Sequence, residues 1–418
     1  MGMKFIHYFF PSFWIVLVSC SSSYNDITPP PVSQDINLIN TVAISNTMMK
    51  PMEGIYKLSD GNADLGKQFV CKVSKYKISF FSDASGIFII LKYGLNPSDN
   101  SIRFSGFWRY SENSRQGLIS FTISNNGGAS KLLQDGIVTN LMLVGVFGEG
   151  NGTPHGIALQ YVRPFSQYAK DNEFMIFAHH GIQTTANPPY AENSLKAALF
   201  AQDYGVNGIE YDIRLTKDNV PICIHDEAIN TRLTQKSPLS GNYNQYSYAF
   251  LRDFIDLIDG QQIPSVEQML KVVVDSTNLK YVWLDIKGDP GIFKYLKPLV
   301  QNAYAHAASK KREFTIIAGL ASKDMIAEFQ ATPNYNHPTI CELSIQDAIN
   351  NNSLFFGPRY SEGLLLEDVD RAHSLGIKVV SWTLNDKKII RNYLQNGRFD
   401  GFISDYPAYV VYDFYTLF

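Results

Sequence analysis

The chain has 418 residues, 45% hydrophobic and 18% charged, enough for two domains with sizeable cores. Its formal net charge of −3 provides no basic field, which argues against nucleic acid as a partner. The 24 tyrosines and 27 phenylalanines suit β-rich folding and name no ligand.

Residues 1–20 read as an export signal. Lys4 precedes an apolar run over residues 5–18, too short and too early for a membrane-spanning helix. The run ends in Leu17-Val18-Ser19-Cys20, which resembles the lipobox of bacterial lipoproteins. That resemblance implies lipidation at Cys20 and a protein exported and lipid-anchored to the bacterial cell envelope, on its periplasmic or outer-surface side. Residues 21–40, with Pro29-Pro30-Pro31, read as a flexible linker. The other cysteines, Cys71, Cys223 and Cys341, are far apart and show neither a disulfide framework nor zinc spacing.

From 41 to 168 the pattern is β-rich. Strand candidates at 77–81, 87–91, 102–108 and 118–123 alternate with turn-prone pieces such as Asn96-Pro97-Ser98-Asp99. This spacing predicts an all-β sandwich or small barrel. The segment collects no His, Asp or Glu cluster. It reads either as a module binding a glycan or other ligand, or as a packing domain.

From 169 to 418 apolar strands alternate with amphipathic helices. Strands are expected at 174–178, 208–213, 221–224, 281–286, 314–318, 339–343, 378–383 and 401–404. Helices are expected at 194–204, 265–274, 291–307, 322–330, 366–375 and 387–395. About eight strands in about 245 residues is the size of a (β/α)8 TIM-type barrel. A doubly wound sheet is the alternative, lowered by the missing dinucleotide-fold glycines. The expected architecture is therefore α/β, a TIM-type barrel preceded by a smaller all-β domain.

Polar residues recur where these strands end: His179, Glu210 and Asp212, His225, Asp285 and Lys287, Trp382, and Asp405. Residues two apart on a strand share a face, so Glu210 and Asp212 point together. Same-face carboxylates beside histidines suit a metal-assisted acid–base site, and barrel sites form at strand C-termini. Hard oxygen donors from Glu210, Asp212 and Asp285 suit Ca²⁺ or Mg²⁺ better than zinc.

The blocks Ala178-His179-His180-Gly181, Ala191-Glu192-Asn193-Ser194, Gly208-Ile209-Glu210-Tyr211-Asp212, Ile224-His225-Asp226, Leu284-Asp285-Ile286-Lys287, Ser381-Trp382-Thr383 and Ser404-Asp405-Tyr406-Pro407 resemble the glycerophosphodiester phosphodiesterase family. The resemblance spans about residues 173–408 and leaves the β-rich module uncovered. It implies metal-dependent hydrolysis of glycerophosphodiesters to glycerol 3-phosphate and an alcohol. His179 and His225 would be the acid–base pair, and Glu210, Asp212 and Asp285 the metal ligands. His180, Glu192, Lys287 and Trp382 would bind substrate or phosphate. It further implies that the substrate's own glycerol hydroxyl attacks first, giving a cyclic phosphate that water opens.

Two positions depart from the family pattern, His180 where arginine is common and Asp285 where glutamate is usual. Imidazole cannot form a guanidinium's bidentate phosphate clamp, and aspartate is one methylene shorter. These departures raise two other readings. One is a phospholipase-like enzyme that forms a cyclic phosphate or acts on lysophospholipids. The other is a non-catalytic surface lipoprotein that binds a ligand through its β-rich domain.

Overall fold

The computed structural model describes residues 38–61, 63–82, 84, 86–149, 153–182 and 190–418. Cys20, the signal and the linker up to residue 37 lie outside them.

Eight antiparallel strands form the first unit: Gly54–Gly61 (β1), Gln68–Val73 (β2), Ile78–Ser82 (β3), Phe88–Asn96 (β4), Ser101–Arg109 (β5), Gln116–Ile123 (β6), Met142–Glu149 (β7) and His155–Arg163 (β8). Each pairs with the next, and β8 returns to β1, so the sheet is a closed barrel rather than a sandwich. Closure removes the exposed edges that an open sheet would leave. The interior is filled by Tyr56, Phe69, Phe80, Phe104, Trp108, Phe121 and their apolar neighbours.

Four of these strands carry a stretch buried on both sides, and alternation explains how. In β4, Ile89 and Leu91 point into the antiparallel barrel, whereas Phe88 and Ile90 join the core of the second unit. Ile55, Val70 and Phe81 do the same from β1, β2 and β3. Strands buried on both faces read as continuous apolar runs, which Ile87-Phe88-Ile89-Ile90-Leu91 is.

The second unit is a parallel barrel of Met175–Ala178 (β9), Gly208–Leu215 (β10), Tyr281–Ile286 (β12), Thr315–Leu320 (β13), Thr339–Cys341 (β14), Phe355–Phe356 (β15), Lys378–Ser381 (β16) and Gly401–Ser404 (β17). Pairing of β9 with both β17 and β10 closes it. Pro221–Cys223 (β11) is not a barrel stave. It runs antiparallel to β10 as the return arm of a hairpin, with Ile213 opposite Cys223. The sequence count of eight therefore included one hairpin arm and omitted β15. Three buried residues in a row look alike in a hairpin and in a parallel strand, and a two-residue strand is too short to show a period.

The helices begin where the chain supplies caps. In Val266–Ser276, the Ser265 hydroxyl accepts the Gln268 N–H at 3.2 Å, and the Gln268 side chain accepts the Ser265 N–H at 3.0 Å. Val266, Met269, Leu270, Val273 and Val274 form its buried stripe against the sheet. Inside the parallel barrel lies an apolar layer: Phe177, Trp283, Ile317, Ile340, Phe355, Val380 and Ile403. Two residues further along their strands come His179, Asp285, Gly319, Glu342, Gly357, Trp382 and Asp405. Period-two alternation turns these to the same interior, one layer nearer the strand C-termini.

Candidate active site

A cavity of about 230 Å³ opens at this layer, lined by His179, His180, Glu210, His225, Trp283, Asp285, Lys287, Glu342, Trp382, Thr383 and Ile403. All nine side chains proposed from sequence as site residues line it or contact a residue that does: His179, His180, Glu210, His225, Asp285, Lys287 and Trp382 in the lining, and Asp212 and Glu192 through His180. Trp382 forms the opposite wall. Its indole N–H donates to the Gly357 carbonyl at 2.7 Å, and the Arg359 guanidinium lies 4.9 Å from its ring centroid.

Glu210 and Asp212 share the inner face of β10, in register with Trp283 and Asp285 of β12. Both are almost wholly buried. One oxygen from each of Glu210, Asp212 and Asp285 lies within 4.8 Å of the other two. Burial and the Asp212 charge push the Glu210 carboxyl well above the usual carboxylate range. Asp212 goes the other way: burial opposes ionisation, but His180 and Lys287 outweigh it and hold the carboxyl at about 2. The Lys287 ammonium sits 2.7 Å from Asp212 Oδ1 and 2.6 Å from Asp285 Oδ2. Glu210 Oε1 is buried with no hydrogen-bond partner among the described residues. That open oxygen, in a set of hard donors, fits a divalent cation.

His179 ends β9. Its Nδ1 is 2.6 Å from Asp405 Oδ1, and its Nε2 faces Glu210 Oε2 at 3.8 Å. The other Asp405 oxygen accepts from Asn385 Nδ2 at 2.6 Å, while Asn385 Oδ1 accepts the Asp405 N–H at 2.9 Å. Burial makes ionisation of Asp405 harder, yet the His179 hydrogen bond holds it below its ordinary value. Its carboxylate is then an acceptor only, so His179 Nδ1 carries the proton and Nε2 is left basic. Burial and the adjacent His180 keep the His179 imidazole below its usual pKa.

His180 turns the chain with φ 53°, and its N–H donates to Glu210 Oε2 at 2.9 Å. Its ring is buried between Asp212 Oδ2 at 3.4 Å and Glu192 Oε2 at 3.6 Å. Burial disfavours its charge, but Asp212 and then Glu192 and Glu210 overcome this and push its pKa to about 10. His225 follows β11 rather than a barrel strand, and its half-exposed ring guards the mouth, 2.7 Å from Asp226 Oδ1.

Three further residues hold this arrangement. Asn193, fully buried, donates from Nδ2 to Asp212 Oδ2 at 2.6 Å and accepts the Asp212 N–H at 2.9 Å. Arg232 clamps both Glu192 oxygens at 3.0 and 3.2 Å and reaches Asp226 at 2.7 Å. Both partnerships join residues far apart in sequence and left no local signal. Glu342 follows β14 and faces the cavity. It was legible by alternation, because Ile340 points inward. Burial, then the Asp285 charge, pushes its carboxyl well above the usual range.

The chain has relatives among known proteins. Residues 179–281 match the model of the glycerophosphoryl diester phosphodiesterase family. The chain is similar to a glycerophosphodiester phosphodiesterase of Bacillus altitudinis, 25% identical over 249 residues, covering 56% of this chain and 94% of that protein. It is also similar to one of Caldanaerobacter subterraneus subsp. tengcongensis, 24% identical over 246 residues, covering 57% of this chain and 96% of that protein. Among solved structures, a glycerophosphodiester phosphodiesterase from Parabacteroides distasonis superposes with TM-score 0.48 at 22% identity, covering 59% of this chain and 98% of that one. Through its parallel barrel, the chain is similar to the glycerophosphoryl diester phosphodiesterase family.

Proposed function

We propose that the protein hydrolyses glycerophosphodiesters to glycerol 3-phosphate and an alcohol, using Ca²⁺ or Mg²⁺. The observation that carries this reading is the convergence of Glu210, Asp212 and Asp285 within 4.8 Å, beside His179 and His225 in one cavity. Those carboxylates would hold the cation, which supplies charge neutralisation at the phosphoryl group. His180 and Lys287 add fixed positive charge around the phosphate. His179 Nε2, kept basic by Asp405, takes a proton from the water whose oxygen bonds to phosphorus as the bond to the alcohol oxygen breaks. His225, at the mouth and held by Asp226, gives a proton to the departing alcohol oxygen. Glu192 serves by positioning His180, because Arg232 occupies both of its oxygens.

Purified chain should release glycerol 3-phosphate from glycerophosphocholine, lose that activity in chelator and regain it with Ca²⁺ or Mg²⁺. Phosphorus NMR separates this outcome from a cyclic phosphate that persists as product. No metal-dependent turnover, together with an unchanged rate in His225→Ala, would overturn the reading.

We further propose export and lipid attachment at Cys20, supported by the Leu17-Val18-Ser19-Cys20 block. Among the described residues no helix is long and apolar enough to cross a membrane. Metabolic labelling with palmitate should mark the parent and not Cys20→Ala; equal labelling would refute the assignment.

A further inference from the structure

The wall facing the catalytic groups carries two buried polar atoms with no hydrogen-bond partner among the described residues, Glu342 Oε1 and Trp283 Nε1. Both side chains line the cavity that holds His179, Glu210, Asp285 and Lys287. Both also border Gly319. A Cβ on that residue would stand 3.0 Å from Glu342 Oε1 and 3.2 Å from Trp283 Nε1. The two atoms therefore flank space that only a glycine leaves open. Gly357, the next residue of this layer, likewise spares room beside Trp283, whose ring atom Cη2 lies 3.2 Å from where its Cβ would be.

The chemistry of the pair selects its ligand. An indole N–H only donates, and an unprotonated carboxyl oxygen accepts. An ammonium group would answer Glu342 but has no lone pair for the indole, and an apolar chain would answer neither. A hydroxyl does both, accepting from Trp283 and donating to Glu342. We infer that Glu342 and Trp283 form a hydroxyl-recognition site for the alcohol portion of the substrate. This inference rests on the phosphodiesterase reading above. The hydroxyl could belong to the glycerol moiety or to a polyol headgroup, and the substrates below separate the two.

The test compares kcat/KM for the full chain and its Glu342→Leu, Glu342→Gln and Gly319→Ala variants on three diesters. Glycerophosphocholine bears hydroxyls on glycerol alone, glycerophosphoinositol bears them on both sides, and p-nitrophenyl phosphocholine bears none. Losing a hydrogen bond to a buried carboxyl group is expected to lower kcat/KM about ten- to hundredfold, mostly through KM. Glu342→Leu and Gly319→Ala should show that loss on hydroxyl-bearing substrates, with a loss at least about tenfold smaller on p-nitrophenyl phosphocholine. Glu342→Gln, which keeps an acceptor oxygen, should fall between and covers the case in which Glu342→Leu fails to fold. A loss on both glycerophosphodiesters assigns the glycerol hydroxyl; a loss on glycerophosphoinositol alone assigns the headgroup. Equal losses on all three diesters, or none, would overturn the site while leaving the phosphodiesterase reading intact. Failure of the unaltered chain to cleave either glycerophosphodiester while it cleaves p-nitrophenyl phosphocholine would overturn that reading, and the inference with it.

Discussion

Replacing Asp405 by asparagine tests the catalytic arrangement through one proton. In the parent, Asp405 accepts from His179 on one oxygen and from Asn385 Nδ2 on the other. Asn385 cannot turn over, because its Oδ1 is held by the Asp405 N–H at 2.9 Å. In Asp405→Asn the new side-chain oxygen must therefore face Asn385, and its amide NH₂ must face His179. A donor opposite Nδ1 makes that nitrogen the acceptor and moves the imidazole proton to Nε2. Nε2 then points at the cavity already protonated and cannot serve as a base.

The substitution is isosteric and leaves the carboxylate trio intact, so stability should change by only about 1 kcal/mol, the net value of one hydrogen bond. The rate should fall by the contribution of a positioned base, about 10²–10⁴-fold, or about 2.7–5.5 kcal/mol of barrier. Coupled detection of glycerol 3-phosphate gives kcat, and ¹⁵N NMR of labelled histidine reports the tautomer. The reasoning fails if kcat stays within about threefold of the parent. It fails equally if the Nδ1–H tautomer persists in the variant.

Asn193→Ala removes two hydrogen bonds to buried Asp212, which should cost about 3–5 kcal/mol and lower Tm by about 3–6 °C. Calorimetry showing an unchanged Tm would contradict the positioning role. Arg232→Ala frees Glu192 and Asp226, but the guanidinium is half exposed, so stability should move by less than about 1 kcal/mol. The same change should lower kcat/KM by about tenfold or more through a loosened His180 and His225, and steady-state kinetics would expose an idle clamp. His180 has its folded-state pKa raised to about 10, so the stability it contributes is full below the ordinary histidine value of about 6.5 and is lost as pH rises through 10. In chelator, melting of the parent should therefore drop more steeply between those pH values than melting of His180→Gln; parallel curves would refute the linkage.

How much of this was legible in the sequence depended on range. Glu210 and Asp212 could be paired from the strand period alone, and their inward direction follows from Ile209, Tyr211 and Ile213 packing outward. His179 and Asp405 could be placed at strand ends, but their contact spans 226 positions and needs barrel closure between β17 and β9. His225 was expected at a barrel strand end and instead arrives on a hairpin arm, which carries it from the strand layer to the mouth. The β-rich segment was recognised as such, yet sandwich and barrel differ only in whether β8 returns to β1. No local pattern encodes that pairing.

The position of the antiparallel barrel bears on what it can do. Its interior is occupied by its own aromatic side chains, so a ligand of this domain would have to bind outside. Much of the outside is already used. Phe81, Phe88 and Ile90 pack with Tyr409, Val411 and Phe414 of the terminal helix Pro407–Leu417 in one continuous core. At Gly205 the approach is close enough that a Cβ would stand 2.9 Å from Phe81 and 3.0 Å from Val411. Lys77 pairs with Asp203 at 2.7 Å, and the Tyr409 hydroxyl donates to Glu112. That helix begins two residues after Asp405, the group that orients His179. The antiparallel barrel thus buttresses the helix that follows the Asp405–His179 hydrogen bond. Cutting the two units apart would uncover apolar surface on both, and the parallel barrel alone would have to hold Asp405 without the support that β2 and β3 give its helix.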